Sequence, residues 1–304
     1  MEYQSGAVSP VESISEGWNI IKDNYWMYVL MVLVAGVVLI VASLILGTIT
    51  NMISGAIAGA LGAATTNAGD AARVSAAILP QVIAQFVSIF TNIIVVTLSG
   101  VLFCGIYKSM ARVASGGKAD FGDLFGGFEH LPACLVYAVI ISLVQFAIGI
   151  ATLLGFAAFG FSALGMGLAG IMKDGQLDMT VLSGLFMVIL AYVLISIVIG
   201  LVIGALTTFV FPLIADRNLS GVQALGLSVK SGLANIVGLI LLLILCGLMI
   251  FAGALPCGLG LPFIAPIYIA ALFAAYRRVF GVAGGGNQNY NPPPPPNFAN
   301  QPRY

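Results

Sequence analysis

Charged residues are scarce in this sequence. Asp, Glu, Lys and Arg together make up 7% of its 304 residues, whereas a soluble domain carries about 25%. So few charged side chains cannot cover the surface of a soluble protein of this size, and the composition therefore excludes a soluble globular enzyme. The eleven basic and eleven acidic residues also cancel to a net charge of zero, which argues against recruitment of nucleic acid by a long-range field.

Metal-binding and catalytic patterns are missing as well. The chain has one histidine, His130, and four cysteines, Cys104, Cys134, Cys246 and Cys257. Because they form no CxxC motif, HExxH motif or Cys/His cluster, we expect no metal site and no cofactor. No nucleophile–base pair can be assembled either, so we expect a protein that is not an enzyme. The cysteines are expected to be small apolar packing residues.

Apolar residues dominate instead. They make up 60% of the chain and occur in uncharged runs long enough for helices of about 20 residues to cross a bilayer. The strongest helical segments are 27–49, 82–106, 132–155, 181–211, 235–254 and 262–276. The last two lie in one uncharged run, which Pro256 and Pro262 divide. The sequence therefore predicts an all-α polytopic integral membrane protein with about six transmembrane helices.

Two further apolar segments, 52–66 and 156–171, are short and rich in Ala and Gly. Their transfer into hydrocarbon is only weakly favourable. We expect them to be extracytoplasmic loop helices or re-entrant pieces, and additional spans are the alternative.

The distribution of Lys and Arg predicts the orientation. With six spans, Arg73 and Lys173 fall on one side of the membrane. The other side, with both termini, holds Lys22, Lys108, Arg112, Lys118, Arg217, Lys230, Arg277, Arg278 and Arg303. Because cytoplasmic loops carry an excess of Lys and Arg, we predict a multi-pass protein of the cell (inner) membrane, a plasma membrane, with both termini in the cytoplasm.

The chain divides into three predicted regions. Residues 1–24 are expected to form a cytoplasmic amphipathic segment, and residues 25–281 the six-helix transmembrane domain. Residues 282–304 are expected to be a disordered proline-rich cytoplasmic tail, in which Pro292 to Pro296 favour a polyproline II rod. Such a rod binds aromatic grooves, so the tail is predicted either to bind a cytoplasmic protein partner or to act as a solvated spacer.

A weak repeat runs through the connections between spans. Amphipathic segments precede spans 1, 3 and 5, and they read VESISEGWNIIKDNYW, FGDLFGGFEHLP and GVQALGLSVKSGLAN. In the first of these, one helical face holds Val11, Ile14, Trp18 and Ile21. We predict three helical-hairpin repeats, each with a cytoplasmic interfacial helix. Alternatively, such segments arise in any bundle with basic cytoplasmic loops.

Three stretches carry a resemblance to a known family. They read GWNIIKDNYW, GIYKSMARVASGGKADFGDLFGGFEH and FPLIADRNLSGVQALGLSVKSGLAN. Together they resemble a group of uncharacterised bacterial membrane proteins related to the membrane domain of some glycerophosphodiester phosphodiesterases. The resemblance covers about residues 10–281 and implies a six-helix bundle with no established activity. The phosphodiesterase activity belongs to a separate soluble barrel for which this chain has no room, so the resemblance does not imply it.

Polar residues form a stripe on span 2. We use "the polar stripe" for Gln81, Gln85, Ser88, Asn92 and Ser99. Their spacing places them within about 60° of one another on a helix, and in hydrocarbon such groups face the bundle or water. One interpretation is the lining of a polar pathway or a lipid head-group groove. The other is hydrogen bonding between helices, with Ser142 and Gln145 among the candidate partners.

Other candidates concern packing and head groups. Gly200 and Gly204 form a GxxxG motif, which is typical of close helix packing within the monomer or in a homodimer. Aromatic and basic residues at the predicted cytoplasmic surface suit contacts with lipid head groups. These candidates are Trp18, Lys22, Lys108, Arg112 and Arg217. Asp216 and Arg217 are further expected to form a local ion pair at a helix end.

Two functions follow from these patterns. The first is a non-enzymatic integral membrane scaffold or adaptor that organises lipids or a partner complex, with membrane lipids and a partner of the tail as its ligands. The alternative is a transporter or channel for a small or amphiphilic solute. The spans lack Asp, Glu, Lys, Arg and His well inside the hydrocarbon, which argues against a proton-coupled transporter.

Overall fold

The computed structural model describes residues 3–64, 70–174, 179–256 and 258–281. Side chains are described for these residues except at 61–82, 153–154, 156–182 and 185. The regular structure of the described residues is helical throughout. The helices are α1 (Pro10–Ile21), α2 (Tyr25–Ala64), α3 (Asp70–Ala114), α4 (Asp123–Gly126), α5 (Leu131–Asp174), α6 (Met179–Thr207), α7 (Val210–Arg217), α8 (Gly221–Ala234), α9 (Ile236–Ala254) and α10 (Leu261–Phe280), with 3-10 turns at Lys22–Asn24 and Gly127–His130.

Six of these helices are long and apolar enough to cross a membrane. They are α2, α3, α5, α6, α9 and α10, and the mean hydropathy of their most apolar windows ranges from 1.4 to 3.2. The prediction of an all-α, multi-pass protein with about six apolar helices is therefore confirmed.

The prediction for the two Ala- and Gly-rich segments is wrong. Residues 52–64 continue α2, and residues 156–171 continue α5, so neither segment is a separate helix or a re-entrant piece. Both segments lack proline and charge, and alanine is the strongest helix former, so nothing interrupts the hydrogen-bond ladder. The 40 residues of α2 span about 60 Å at 1.5 Å per residue, twice the thickness of the hydrocarbon.

The buried core lies at one end of the bundle, where α2 and α5 begin and α3 and α6 end. Its largest fully buried side chains include Tyr28, Met31, Phe209, Phe273 and Tyr276. Helix α10 is at its centre, because every residue from Ile269 to Tyr276 is at most 6% exposed. More than two turns of this helix are thus enclosed on all sides.

Helix α1 lies along α10 and runs in the opposite direction. Near the start of α1, Glu12 and Glu16 pair with Arg278 at 2.5 and 2.6 Å. Just beyond its end, the Tyr25 hydroxyl donates to the carbonyl of Phe263 at 2.7 Å. The first helix of the chain therefore packs along nearly the whole length of the last.

Small residues form the contact face of α1. Ser13, Gly17 and Ile21 are buried at four-residue intervals, and a Cβ on Gly17 would lie 2.6 Å from the α10 backbone. From the predicted apolar face, Ile21 is buried, whereas Val11 and Trp18 are 71% and 42% exposed. Part of that face therefore points away from the bundle.

The opposite ends of several helices expose apolar side chains. In α6, the large residues from Ile189 to Val198 are mostly exposed around the whole helix, including Leu194, Ile195 and Val198. A soluble monomer rarely exposes a continuous apolar surface of this kind. A surface of this kind suits contact with lipid, as expected of a helix that crosses a membrane.

Candidate functional site

The structure places the polar stripe of α3 against α5. The Ser142 hydroxyl of α5 donates to Asn92 Oδ1 at 3.0 Å, and Ser142 is only 2% exposed. Both side chains lie on the sides of their helices that face each other. The two polar groups thus satisfy each other inside the bundle.

Gln85 occupies a space that a glycine provides. A Cβ added to Gly149 of α5 would lie 2.5 Å from the Gln85 Nε2 atom. Any larger residue at position 149 would therefore displace the Gln85 amide. The Phe86 and Phe146 rings pack beside it with centroids 5.1 Å apart. This part of the stripe is a close contact between α3 and α5.

The two serines of the stripe bond to their own helix. The Ser88 hydroxyl donates to the Gln85 carbonyl at 2.7 Å, and the Ser99 hydroxyl donates to the Val95 carbonyl. The Gln81 side chain lies outside the described residues. From Gln85 to Ser99, the stripe therefore acts as a packing surface, with its hydroxyls satisfied by protein groups.

Another polar contact, which the stripe does not include, joins α2 to α3. The hydroxyls of Thr50 and Thr91 lie 2.8 Å apart. Threonines are common in apolar helices, and their sequence spacing alone did not single out this pair.

Lys108 and Arg112, both candidate head-group residues, bind protein carboxylates. Lys108 Nζ lies 2.8 Å from Glu129 Oε2, and Arg112 Nη2 lies 2.6 Å from Asp123 Oδ1. Asp123 is 6% exposed and Arg112 is 45% exposed, so the second pair is partly buried. Both pairs attach the segment after α3 to the end of α3.

Arg217 is also engaged within the protein. Its Nη2 donates to the Phe280 carbonyl at 2.6 Å, and its Nε donates to the Tyr276 hydroxyl at 3.2 Å. The Tyr276 hydroxyl in turn donates to Asp216 Oδ2 at 2.7 Å. The prediction of an ion pair between Asp216 and Arg217 is therefore wrong, because the two side chains each bond to the hydroxyl of the buried Tyr276 and do not pair directly. A cation at the last carbonyls of α10 also suits the helix dipole.

The remaining two candidates, Trp18 and Lys22, stay on the surface. Trp18 is 42% exposed and packs edge-on against Tyr25, with ring centroids 5.5 Å apart. Lys22 is exposed. These two side chains keep the exposure that a head-group contact requires.

The two glycines of the GxxxG motif differ in their surroundings. A Cβ on Gly204 would lie 3.5 Å from Leu243 of α9, whereas nothing lies within 4 Å of a Cβ on Gly200 among the described residues. Gly204 therefore packs inside the chain, and Gly200 faces open space.

Two open cavities lie near the end of α10. The larger, about 360 Å³, is lined by Glu16, Asn19, Ile20, Ala274, Arg277 and Arg278. The smaller, about 260 Å³, also includes Arg277, together with Arg112 and Asp216. Each cavity is lined by two arginines and one carboxylate.

The cysteines occupy packing positions. Cys104, Cys134 and Cys246 are buried free thiols, and the sulfurs of Cys104 and Cys134 lie 3.8 Å apart across α3 and α5. Cys257 lies outside the described residues.

Asn235 is a structural residue that the sequence did not single out. Its Oδ1 accepts from the Ala7 amide at 2.9 Å, and its Nδ2 donates to the Gln4 carbonyl at 2.9 Å. The side chain therefore binds the N-terminal segment through its peptide groups. Asn235 ends the predicted amphipathic segment before span 5, but that position says nothing about its partner.

Comparisons of the chain with protein-family models, curated proteins and solved structures find no match. The resemblance to the phosphodiesterase-associated membrane proteins therefore stays a prediction.

Proposed function

We propose that this protein is a non-enzymatic integral membrane scaffold that organises lipids or a partner complex. The observation that carries the proposal is the polar stripe of α3. A transport pathway needs polar groups that are free to contact water or solute. The polar groups of the stripe bond to protein instead. Asn92 accepts from the Ser142 hydroxyl, and the Ser88 and Ser99 hydroxyls donate to carbonyls of their own helix.

The basic residues support the same proposal. Lys108, Arg112, Arg217 and Arg278 each hold two helical elements together. Cations used in this way stabilise one arrangement of the helices. A fixed arrangement suits a scaffold better than a carrier, which must alternate between two arrangements.

The topology belongs to the proposal as well. We infer three helical-hairpin units. In the first, α1 precedes the α2–α3 hairpin; in the second, the Asp123–His130 segment precedes α5–α6; in the third, α8 precedes α9–α10. The nine-to-two distribution of Lys and Arg supports a cell-membrane protein with both termini in the cytoplasm. In that orientation the three preceding segments lie at the cytoplasmic surface, and the extended ends of α2 and α5 lie on the other side.

The partner is proposed to bind the tail. Residues 282–304 lie outside the described residues, and their five prolines support an extended rod that a cytoplasmic protein binds. Lipids would be organised by the exposed apolar faces and by surface residues such as Trp18 and Lys22.

Cysteine accessibility tests the proposal. Single cysteines at Gln85 and Asn92 should not react with a charged, water-soluble thiol reagent in intact membranes, because these positions pack against α5. Lys118→Cys, in an exposed loop, is the reactive control, and Leu194→Cys, on the exposed face of α6, is the lipid-facing control. The parent chain with its own cysteines sets the background. Rapid labelling at both 85 and 92 would instead support a transporter or channel.

A further inference from the structure

Two arginines meet at the ends of α3 and α10. Arg112 lies in the last turn of α3 and Arg277 in the last turn of α10, and both line the smaller of the two cavities, about 260 Å³ in volume. We call this cavity the arginine cleft. Its other lining residues are Ala111, Ala114, Ser115, Asp216 and Phe273. Two long apolar helices thus each bring one guanidinium to the same cleft.

Arg277 differs from the other basic residues around the core. Those residues bind protein carboxylates or carbonyls, and they are Lys108, Arg112, Arg217 and Arg278. The guanidinium of Arg277 forms no ion pair or hydrogen bond within the part of the chain that the structure describes. Its side chain is half-buried. No described carboxylate therefore neutralises Arg277, and its N–H donors can serve a ligand.

The charges around the arginine cleft leave a positive excess. Arg112 lies 2.6 Å from the carboxylate of Asp123, so these two charges cancel. Asp216 and Arg217 also cancel, because both bond to the same tyrosine hydroxyl. The charge of Arg277 is left over. The arginine cleft therefore favours an anion.

The larger cavity lacks this excess. There Arg278 pairs with both Glu12 and Glu16, at 2.5 and 2.6 Å, so two negative charges face one positive charge. The remaining negative charge offsets Arg277, which lines this cavity too. An anion is therefore favoured on the side of Arg277 that faces the arginine cleft.

The geometry of a guanidinium selects the kind of anion. Its planar fork donates two parallel hydrogen bonds to a phosphate or a carboxylate, and arginine is enriched wherever phosphate is recognised. Arg112 is 45% exposed in spite of its ion pair, so its remaining donors are not enclosed by Asp123. A phosphate group in the cleft can thus be contacted by two arginines.

The position of the cleft indicates a lipid as the source of the phosphate. Arg112 and Arg277 lie at the ends of the apolar helices Ile83–Ala114 and Leu261–Phe280. Basic residues at the ends of membrane spans lie at the level of the lipid head groups. An anionic phospholipid therefore presents its phosphate at the height of the cleft.

The wall and the size of the cleft agree with a lipid head group. Ala111, Ala114 and Phe273 give it an apolar side, which suits the glycerol and the first part of an acyl chain but would not contribute to binding of free phosphate. Sites that enclose a whole small molecule measure about 300–1,000 Å³. At about 260 Å³, the cleft fits a head group whose acyl chains stay outside.

We propose that the arginine cleft binds the phosphate of an anionic phospholipid, with Arg277 as its main ligand and Arg112 as a second donor. The lipid supplies the negative charge that the protein does not provide beside Arg277. The proposal rests on the part of the proposed function that concerns the organisation of lipids, and it gives that function a defined site and a defined lipid charge.

A lipid titration of the purified full-length chain in detergent micelles tests the proposal. Native mass spectrometry measures the Kd for dioleoylphosphatidylglycerol and for the zwitterionic dioleoylphosphatidylcholine. We expect Arg277→Gln to weaken phosphatidylglycerol binding about five- to tenfold and to leave phosphatidylcholine binding unchanged. The matched control is Lys230→Gln, which removes the same charge from an exposed position of α8 and should leave both affinities nearly unchanged. Equal affinity for the two lipids, or equal losses in the two variants, would overturn the proposal.

A competition arm distinguishes a lipid from a soluble phosphate compound. Glycerol 3-phosphate at the same concentration as the lipid should not displace phosphatidylglycerol, because it lacks the acyl chains that hold the lipid in the micelle. Displacement, together with binding of glycerol 3-phosphate that depends on Arg277, would overturn the assignment to a lipid.

The outcome is separable from that of the scaffold proposal. The chain of residues 1–283 should bind phosphatidylglycerol as the full-length chain does, since the cleft does not involve the tail. If lipid selectivity is absent while a tail-dependent protein partner still copurifies, the lipid site is wrong and the scaffold stands.

A second measurement serves if Arg277→Gln does not fold. A structure of the unaltered protein in phosphatidylglycerol nanodiscs should show phosphate density within hydrogen-bond distance of the Arg277 guanidinium. A cleft without such density would contradict the proposal.

Discussion

At the residue scale, the contact between Asn92 and Ser142 is the clearest support for a packed bundle. Their hydrogen bond of 3.0 Å is partly buried. Polar contacts of this kind between membrane helices contribute about 0.6–2 kcal/mol. Its strength can be measured directly, because each partner can be truncated separately.

We expect Asn92→Ala and Ser142→Ala each to lower the free energy of unfolding by about 0.6–2 kcal/mol. The double variant should lose less than the sum, which reports the coupling between the two side chains. Chemical unfolding in mixed micelles measures all three values. Ser196→Ala is the control, since this exposed hydroxyl donates to the Tyr192 carbonyl of its own helix. Additive effects would show that the two residues do not act on each other.

Residue spacing predicted which side of α3 is polar, but it could not predict the partners of the basic residues. A face follows from the fixed rotation of about 100° per residue, so Asn92 and Ser142 were recognisable as candidates. The partner of Arg217, Tyr276, is 59 residues away. Such a pairing depends on how distant helices pack, which no local pattern encodes.

At the element scale, the segment after α3 is held by close backbone contacts. A Cβ on Gly105 would lie 2.2 Å from the carbonyl oxygen of Leu124, and a Cβ on Gly127 would collide with the backbone of α3 near Val101. Two glycines on facing elements thus allow the α4 region to approach α3.

Gly105→Ala should therefore destabilise the protein by at least about 1–3 kcal/mol, because the α4 region must move away from α3. Gly36→Ala is the matched control: it lies in α2 with nothing within 4 Å of the added Cβ, and alanine favours a helix by about 0.5–1 kcal/mol. Thermal midpoints and limited proteolysis of the loop before α4 measure the difference. Equal behaviour of the two variants would contradict the observed packing.

Helix number was predictable from the sequence, whereas helix length was not. Uncharged apolar runs identify the six long helices, because hydropathy reports the cost of burial in lipid. The carboxyl-terminal ends of α2 and α5 are less apolar, so hydropathy predicted that each span ends before them. An Ala-rich segment nevertheless continues as helix whether or not lipid surrounds it. Likewise, the amphipathic pattern of α1 predicted a helix, but it did not predict that Ser13 and Gly17 would face α10.

At the scale of the whole molecule, a tight core at one end supports long helices with exposed apolar ends. The core is built around α10 and is fastened by Arg217, Arg278 and Arg112. We infer that this end is cytoplasmic, which would place the proline-rich tail beside it, just after Gly281. A fixed membrane core with an adjacent binding tail is the arrangement that a scaffold needs.

A matched affinity purification in native nanodiscs, with mass spectrometry of proteins and lipids, tests whether the protein is a scaffold. Three chains are compared: full length, residues 1–283, and a full-length variant in which Pro292 to Pro296 are replaced by five serines. We expect a stoichiometric cytoplasmic protein that copurifies with the full-length chain and is lost from both variants. Identical protein compositions in all three, together with one enriched small solute that remains when the tail is removed, would contradict the scaffold and support carriage within the bundle.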